Sequence, residues 1–189
     1  MFLADVIKIA EDGGKFGNRR ERLIPNIIKQ FKLETGIEIG VDLAEFSCNI
    51  LKRTPEQFFL TCLDPYLVQH DGKYHEQISQ ERWKQADTNL EKYILMDRCE
   101  LLRETSEGFA LAVDKDEFDF CYIDGDHSYK SVKKDIELWW ERSKYFISGH
   151  DYRTFANFGV KKAVEEFAKK VSKQIHKMSG RGSGFIICK

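Results

Sequence analysis

No stretch of the chain approaches the roughly twenty consecutive apolar residues that span a bilayer. The amino terminus, Met1-Phe-Leu-Ala-Asp-Val-Ile-Lys8, meets charge too early for a signal peptide. A cytoplasmic protein with no membrane partner is expected. Charge of one sign is missing as well: 30 Lys and Arg stand against 31 Asp and Glu, a formal net charge of −1. No whole-chain field therefore favours nucleic acid, and a small molecule is the expected partner. The five cysteines, Cys48, Cys62, Cys99, Cys121 and Cys188, are odd in number and scattered, and none forms a C-x-x-C pair. That spacing argues against zinc and against a redox pair. Cys62, Cys121 and Cys188 lie inside apolar runs and read as small buried hydrophobes. No repeat, linker or low-complexity tract interrupts the chain.

What remains is 189 residues, 42% hydrophobic and 13% aromatic, which suits one compact domain with a sizeable core. A homo-oligomer is compatible with it. Residues 1–35 read as a helical segment broken at Asp12-Gly-Gly-Lys-Phe-Gly17, and residues 36–189 as the main domain. In the helix after the break, Leu23, Ile24, Ile27, Ile28 and Phe31 form one apolar stripe. Arg19, Arg20, Glu21, Arg22 and Lys29 are expected on its solvated face. From Gly36 onward the period alternates. Gly36 to Leu51 passes from strand to helix across Gly40 to Ala44, a turn that lets backbone N–H groups and a helix start approach a polar ligand. Pro55 ends that helix, and Phe58 to Leu63 is an apolar strand that runs into Asp64-Pro65.

Gln77 to Tyr93 reads as a helix with Trp83, Ala86, Leu90 and Tyr93 in its core stripe, after a polar loop holding His70 and His75. A short strand, Glu100 to Arg103, precedes Thr105-Ser-Glu and a helix from Phe109 to Val113. Val132, Ile136, Trp139 and Trp140 mark the next helix, Lys144 to Gly149 the fifth strand, and Val160 to Val171 another core-facing helix. Lys173 to Met178 and Gly184 to Cys188 read as two closing strands around the glycine-rich turn Ser179 to Ser183.

Chemistry concentrates in Phe118-Asp-Phe-Cys-Tyr-Ile-Asp-Gly-Asp-His-Ser-Tyr129. Phe120 to Ile123 supply both faces of a buried strand, so Asp124, Asp126 and His127 emerge at its carboxyl end, where ligands bind in open α/β sheets. The plainer reading is a turn whose acids cap the following helix, and Asp126 with Ser128 suits that role. Five strand ends carry polar residues that a parallel sheet brings to one edge: Glu38 with Gly40, Asp64, Ser106, Asp124 with Asp126 and His127, and His150 with Asp151. Asp64 suits a ribose hydroxyl or the start of a proline turn. Ser106 suits a ligand-facing position or a helix cap, and the two are compatible.

At these residues the chain resembles the class I S-adenosylmethionine-dependent methyltransferases. I-E-I-G-V…E-F-S, L-D-P-Y, D-G-D-H-S-Y…V-K-K-D-I, G-H-D-Y and G-V-K-K-A-V-E-E-F are similar to the branch containing antibiotic-sugar and other small-molecule O-methyltransferases. The resemblance implies an α/β, Rossmann-like doubly wound sheet of seven strands, mostly parallel with an antiparallel last strand, and helices on both faces. It implies S-adenosyl-L-methionine as cofactor, with Glu38 and Gly40 near the methionine part, Asp64 on the ribose, Ser106 near the adenine and Asp124 also at the cofactor. Asp124 and Asp151 match positions that hold a divalent cation, which points to Mg²⁺, and His127 matches a general base. His150 faces the acceptor, a small molecule such as a sugar or polyol. Where the family pattern closes E-x-G-x-x-x-G, this chain has Ala44.

Methyl transfer from a sulfonium is an in-line displacement, so the protein must position an oxygen and lower its proton affinity. Two carboxylates suit a hard cation that acidifies a hydroxyl, and a histidine suits the proton. Other classes stay in view. A nicotinamide-dependent oxidoreductase would share the first turn and Asp64, but Gly40-Val-Asp-Leu-Ala44 lacks the second glycine of G-x-G-x-x-G. A non-haem iron hydroxylase of the same branch would use Asp and His as ligands. A non-catalytic cofactor-binding protein would have no need of the metal-site residues.

Overall fold

In the computed structural model, residues 3–11, 19–67, 76–154, 159–179 and 183–189 are described. The first half runs α1 (Leu3–Glu11), α2 (Arg20–Phe31), β1 (Thr35–Ile39), α3 (Glu45–Arg53), β2 (Phe59–Leu63), α4 (Glu76–Leu95) and β3 (Cys99–Leu102). The second runs α5 (Ser106–Ala110), β4 (Phe118–Ile123), α6 (Tyr129–Trp140), β5 (Ser143–His150), α7 (Val160–Lys170), β6 (Ile175–Met178) and β7 (Gly184–Cys188). The seven strands form one sheet in the order β3-β2-β1-β4-β5-β7-β6. Neighbours from β3 to β5 are parallel, and β7 is antiparallel to both β5 and β6. The expected mostly parallel sheet with an antiparallel last strand is therefore the one found.

Two-residue alternation along the strands splits the core into two layers. Phe120, Tyr122 and Phe146 pack on one face with Leu23, Ile24, Ile27 and Ile28 of α2, Phe46, Ile50 and Leu51 of α3, and Ala86 and Leu90 of α4. Cys121, Ile123 and Ile147 pack on the other with Val132, Ile136 and Trp139 of α6 and Val160, Val164 and Phe167 of α7. α1 joins the first layer through Ile7, so the amino-terminal helices share the sheet's core. Cys62 and Cys121 are buried as expected, whereas Cys188 is only half-buried and Cys99 is buried instead; burial pushes the thiols of Cys62, Cys99 and Cys121 up from their ordinary value.

Pro25 lies inside α2 and cannot donate to the carbonyl of Glu21. The Asn49 side chain of α3, its amide oriented to suit both neighbours, donates to that carbonyl at 2.8 Å and accepts from Arg53 at 3.3 Å. The start of α2 is thereby tied to α3, which matters for Arg20 below.

Several boundaries differ from expectation. The helix expected over Phe109–Val113 forms instead at Ser106–Ala110, because the Thr105 hydroxyl accepts from Gly108 N at 3.1 Å and caps an earlier start. The third strand ends at Leu102 rather than Arg103. The long helix gains residues at both ends, and the first closing strand begins at Ile175. The expected break at Asp12–Gly17, His70 and His75 of the polar loop, and residues 180–182 of the closing turn lie outside the described residues. Among the described residues no helix is long and apolar enough to cross a membrane.

Candidate active site

Register places the site. Ile39 pairs with Leu63 of β2 and with Ile123 of β4, Ile123 pairs with Gly149 of β5, and Leu63 pairs with Leu102 of β3. The next residues, Gly40, Asp64, Arg103, Asp124 and His150, therefore leave the sheet in one row at its carboxyl edge. Chain order reverses between β1 and β4, the switch point where an open sheet leaves a ligand crevice.

Gly40 sits at that crevice with φ 85°. A Cβ there would lie 2.5 Å from the Gly125 backbone, so the first turn and the Asp124-Gly125 turn approach as only glycine permits. Asp64 closes the turn from the other side. One carboxylate oxygen accepts from Val41 N and Asp42 N, both at 3.0 Å, and the other accepts from Tyr66 N at 2.8 Å across Pro65. It therefore forms the expected proline turn and also holds the loop around the crevice. Burial pushes its carboxyl up, against the pull of the Tyr66 and Val41 N–H groups. Ala44 stands where the pattern has glycine and adopts φ 61°, ψ 24° at the start of α3, a left-handed conformation that glycine takes without a Cβ clash.

Glu38, the penultimate residue of β1, is 1% exposed and accepts from Ser47 Oγ of α3 at 2.5 Å. Burial is the main cause that raises its carboxyl to about 8, with Asp124 and Asp64 adding repulsion and the Ser47 hydrogen bond and Arg20 opposing.

Asp124 is the centre of the constellation. Its Oδ1 lies 3.6 Å from His127 Nε2 and 3.4 Å from His150 Nδ1. Asp151 Oδ2 lies 3.3 and 3.5 Å from the same two nitrogens, and Asp151 Oδ1 pairs with Arg153 at 3.0 Å. Burial alone would raise the Asp124 carboxyl. The hydrogen bonds from His127 and His150, with the charges of His150 and Arg20, outweigh it and hold the carboxyl near 2. Asp126 turns away from this cluster. It accepts from Ser128 N at 3.0 Å, Ser128 Oγ at 2.9 Å and Ser131 Oγ at 2.7 Å, and Ser128 caps α6. The helix-start role expected for this pair is what they perform.

Arg20 was expected in solvent. Instead its Nη1 donates to Asp124 Oδ2 at 2.8 Å and to the Tyr122 hydroxyl at 3.0 Å, and its guanidinium lies 4.8 Å from the Phe46 ring centroid. A signal for this was present, because Arg20 precedes Leu23 and Ile24 by three and four residues and so extends the buried stripe of α2. Phe46, Tyr122 and Ser47 also touch the site residues, through Arg20 and Glu38, although Tyr122 was expected only as part of the buried strand. Ser106 departs from its expected use in a different way. Its hydroxyl donates to Asp135 Oδ1 at 2.5 Å and accepts from Trp139 Nε1 at 2.8 Å, so it fastens α5 to α6 and offers a pocket only its backbone.

The donors fit a divalent cation. Asp124, His127 and His150 each offer one ligand atom, all within 4.8 Å of one another, and Asp151 stands beside them. Two imidazoles in the set suit a borderline transition ion better than Mg²⁺, which prefers six oxygens.

A doubly wound sheet with a glycine turn, an acid beyond β2 and an Asp/His cluster at the switch point defines a nucleotide-type α/β enzyme. A family model described as a methyltransferase domain matches residues 33–152, and the chain belongs to that family. No curated protein matches the chain. Among solved structures it is similar to the O-methyltransferase from Bacillus cereus in complex with SAH, at 13% identity over 99% of this chain and 90% of that one, TM-score 0.65. It is similar to TomG from Streptomyces achromogenes, an O-methyltransferase of tomaymycin synthesis in complex with SAM, at 10% identity over 98% and 87%, TM-score 0.65. A methyltransferase from Geobacter sulfurreducens aligns at 12% identity over 99% and 87%, TM-score 0.62. At these identities the structures speak for the fold.

Proposed function

We propose that the protein transfers the methyl group of S-adenosyl-L-methionine to a hydroxyl of a small-molecule acceptor such as a sugar or polyol. The observation that carries this reading is the meeting of Asp124, His127, His150 and Asp151 beside the β1/β4 crevice of a methyltransferase-family domain. The cofactor would be held at the Gly40 turn, its ribose by Asp64, its adenine by the backbone at Ser106 and its methionine end by Glu38 and Asp124. Once bound, it would supply an electrophilic methyl group to the acceptor oxygen, its carbon–sulfur bond breaking to leave a neutral thioether. His127 takes the hydroxyl proton at Nε2, where Asp124 and Asp151 stabilise the imidazolium, and His150 faces the acceptor.

A divalent cation would be held by Asp124 and Asp151 with His150 as nitrogen donor, and it would lower the proton affinity of an acceptor hydroxyl. Mg²⁺ is the ion the resemblance implies, and Mn²⁺ is the better match to a set that includes the His150 imidazole. Two histidines and a carboxylate are also the donor set of non-haem iron oxygenases, so Fe²⁺ belongs in the test.

Calorimetry with S-adenosylmethionine and with NAD separates the cofactor classes, and absence of binding by the former would sink the proposal. Titration of Mg²⁺, Mn²⁺ and Fe²⁺ into the wild type and Asp124→Ala reads the cation. A binding isotherm lost in the folded variant is expected, whereas equal isotherms would remove the cation from this site. Iron-dependent oxidation in a protein that ignores S-adenosylmethionine would replace methyl transfer with the hydroxylase reading.

A further inference from the structure

We infer that Arg20 receives the α-carboxylate of the cofactor's amino-acid end, and that Arg20 and Asp124 together form a pair that reads a zwitterion. This rests on the methyl-donor reading above and adds a residue that neither the family match nor the sequence motifs assign. The carboxylates of Asp64 and Asp124 stand at the crevice between β1 and β4, beside a buried Glu38 that keeps its proton near neutral pH, and they suit a ligand carrying a sulfonium and an ammonium. Such a ligand also carries one carboxylate, which these two acids would repel. Arg20 supplies the missing sign from 104 residues away in the chain.

Its placement is that of a held group. The guanidinium hydrogen-bonds Asp124 Oδ2 and the Tyr122 hydroxyl and packs over Phe46, and its side chain is 22% exposed. Its Nε also bonds Glu21 Oε1 at 3.3 Å, so a planar guanidinium fixed in this way presents its remaining nitrogen, Nη2, to a carboxylate without first losing its rotamer freedom. Asp124 and Arg20, 2.8 Å apart, are the charge inverse of an ammonium and a carboxylate borne on one carbon. A clamp that merely fastened α2 would have no use for the crevice position. The apolar stripe of α2 and the Asn49 bond to Glu21 O already provide that fastening.

The test is a comparison of ligands on the full-length protein. Calorimetry is run with S-adenosylmethionine and with its decarboxylated form, which keeps the sulfonium and the amine but lacks the carboxylate, on wild type, Arg20→Met and Arg20→Lys. Wild type should prefer the carboxylated ligand by about 10- to 100-fold, the scale of a charge-assisted hydrogen bond. Arg20→Met should lose that preference by weakening the carboxylated ligand, while the decarboxylated dication, which meets an Asp124 no longer paired with Arg20, binds no more weakly than to wild type, and Arg20→Lys should keep part of the preference. Thermal melting checks the fold, and if the Met variant does not fold the Lys variant carries the same comparison. Equal weakening of both ligands, no weakening of either, or no preference in the wild type would overturn the proposal. An effect confined to acceptor KM would also overturn it, because Arg20 would then read the acceptor. Failure of the wild type to bind either ligand is a separate result, which refutes the methyl-donor reading itself.

Discussion

Replacing Glu38 by Gln isolates one buried carboxyl and should change the pH dependence of stability in a defined direction. Glu38 is 1% exposed, and burial raises its carboxyl from the usual 4.5 to about 8. Between those values the folded protein keeps a proton that the unfolded chain releases. Stability from this group is therefore fully present below pH 4.5 and declines as pH rises toward 8, where it is lost. The full shift corresponds to an upper bound of roughly 5 kcal/mol, at about 1.4 kcal/mol per pH unit. Even half of that is a large share of the ~5–15 kcal/mol by which a domain is stable.

Gln is isosteric, stays neutral and can accept the Ser47 hydroxyl as Glu38 does. Urea unfolding at a series of pH values from 5 to 9 should show the variant gaining on wild type as pH rises. Asp135, raised to about 6 by burial, adds a dependence of the same sign to both proteins and cancels in the difference. Parallel profiles would refute the reasoning, since Glu38 would then ionise in the fold as it does in water. A cationic cofactor should draw Glu38 toward its ionised form. Binding near pH 7 should accordingly release a proton, which calorimetry in buffers of different ionisation enthalpy measures.

Two further substitutions test the frame around the site. Ala44→Gly removes a left-handed strain of about 1–2 kcal/mol, but it adds about 0.4–1 kcal/mol of unfolded-state entropy and gives up a buried methyl worth about 0.8 kcal/mol. Chemical denaturation should therefore find the two proteins within about 1 kcal/mol, and a larger loss would mean that the methyl packs more than it strains. Arg98 is buried at the amino edge of the sheet, where its guanidinium donates to Leu51 O at 3.0 Å, Thr54 O at 3.3 Å and Pro55 O at 2.8 Å. Arg98→Met should leave those carbonyls unpaired at a cost of about 3 kcal/mol, lowering Tm by about 6–12 °C in a chain of this size. Cofactor affinity at low temperature should not move, because Arg98 lies at the opposite edge from Asp124.

The sheet was legible because the central strands β2 and β4 are buried on both faces and so read as nearly continuous apolar runs. The first polar residue after each run then marks the carboxyl edge. Phe118–Ile123 followed by Asp124, and Phe59–Leu63 followed by Asp64, are the clearest cases. The five-residue helix at Ser106 was not legible in place, since so short an element carries no periodic stripe and its start depends on the Thr105 hydroxyl. Nor does spacing tell whether a strand-end hydroxyl faces ligand or neighbour. Ser106 turned to Asp135, a partner 29 residues on that only the α5–α6 contact supplies. Arg20 is the instructive failure. Charge at a helix start is usually solvated, and the positional hint on the α2 stripe acquires meaning only when β4 is known to lie under it.

That contact also divides the work of Asp124, for which the motif had suggested both a cofactor and a metal role. Its two oxygens have different neighbours. Oδ2 faces Arg20 and the β1 side of the crevice, while Oδ1 faces His150 and His127 on the β5 side. The carboxylate therefore stands between the place proposed for the methionine end and the place proposed for the acceptor, with one lone-pair set toward each. A residue so placed lets the state of one site reach the other across a single planar group. With a ligand carboxylate on Arg20 and its ammonium on Oδ2, Oδ1 keeps its contacts to His150 and His127, so one carboxylate serves the proposed methionine end and the proposed acceptor side at once.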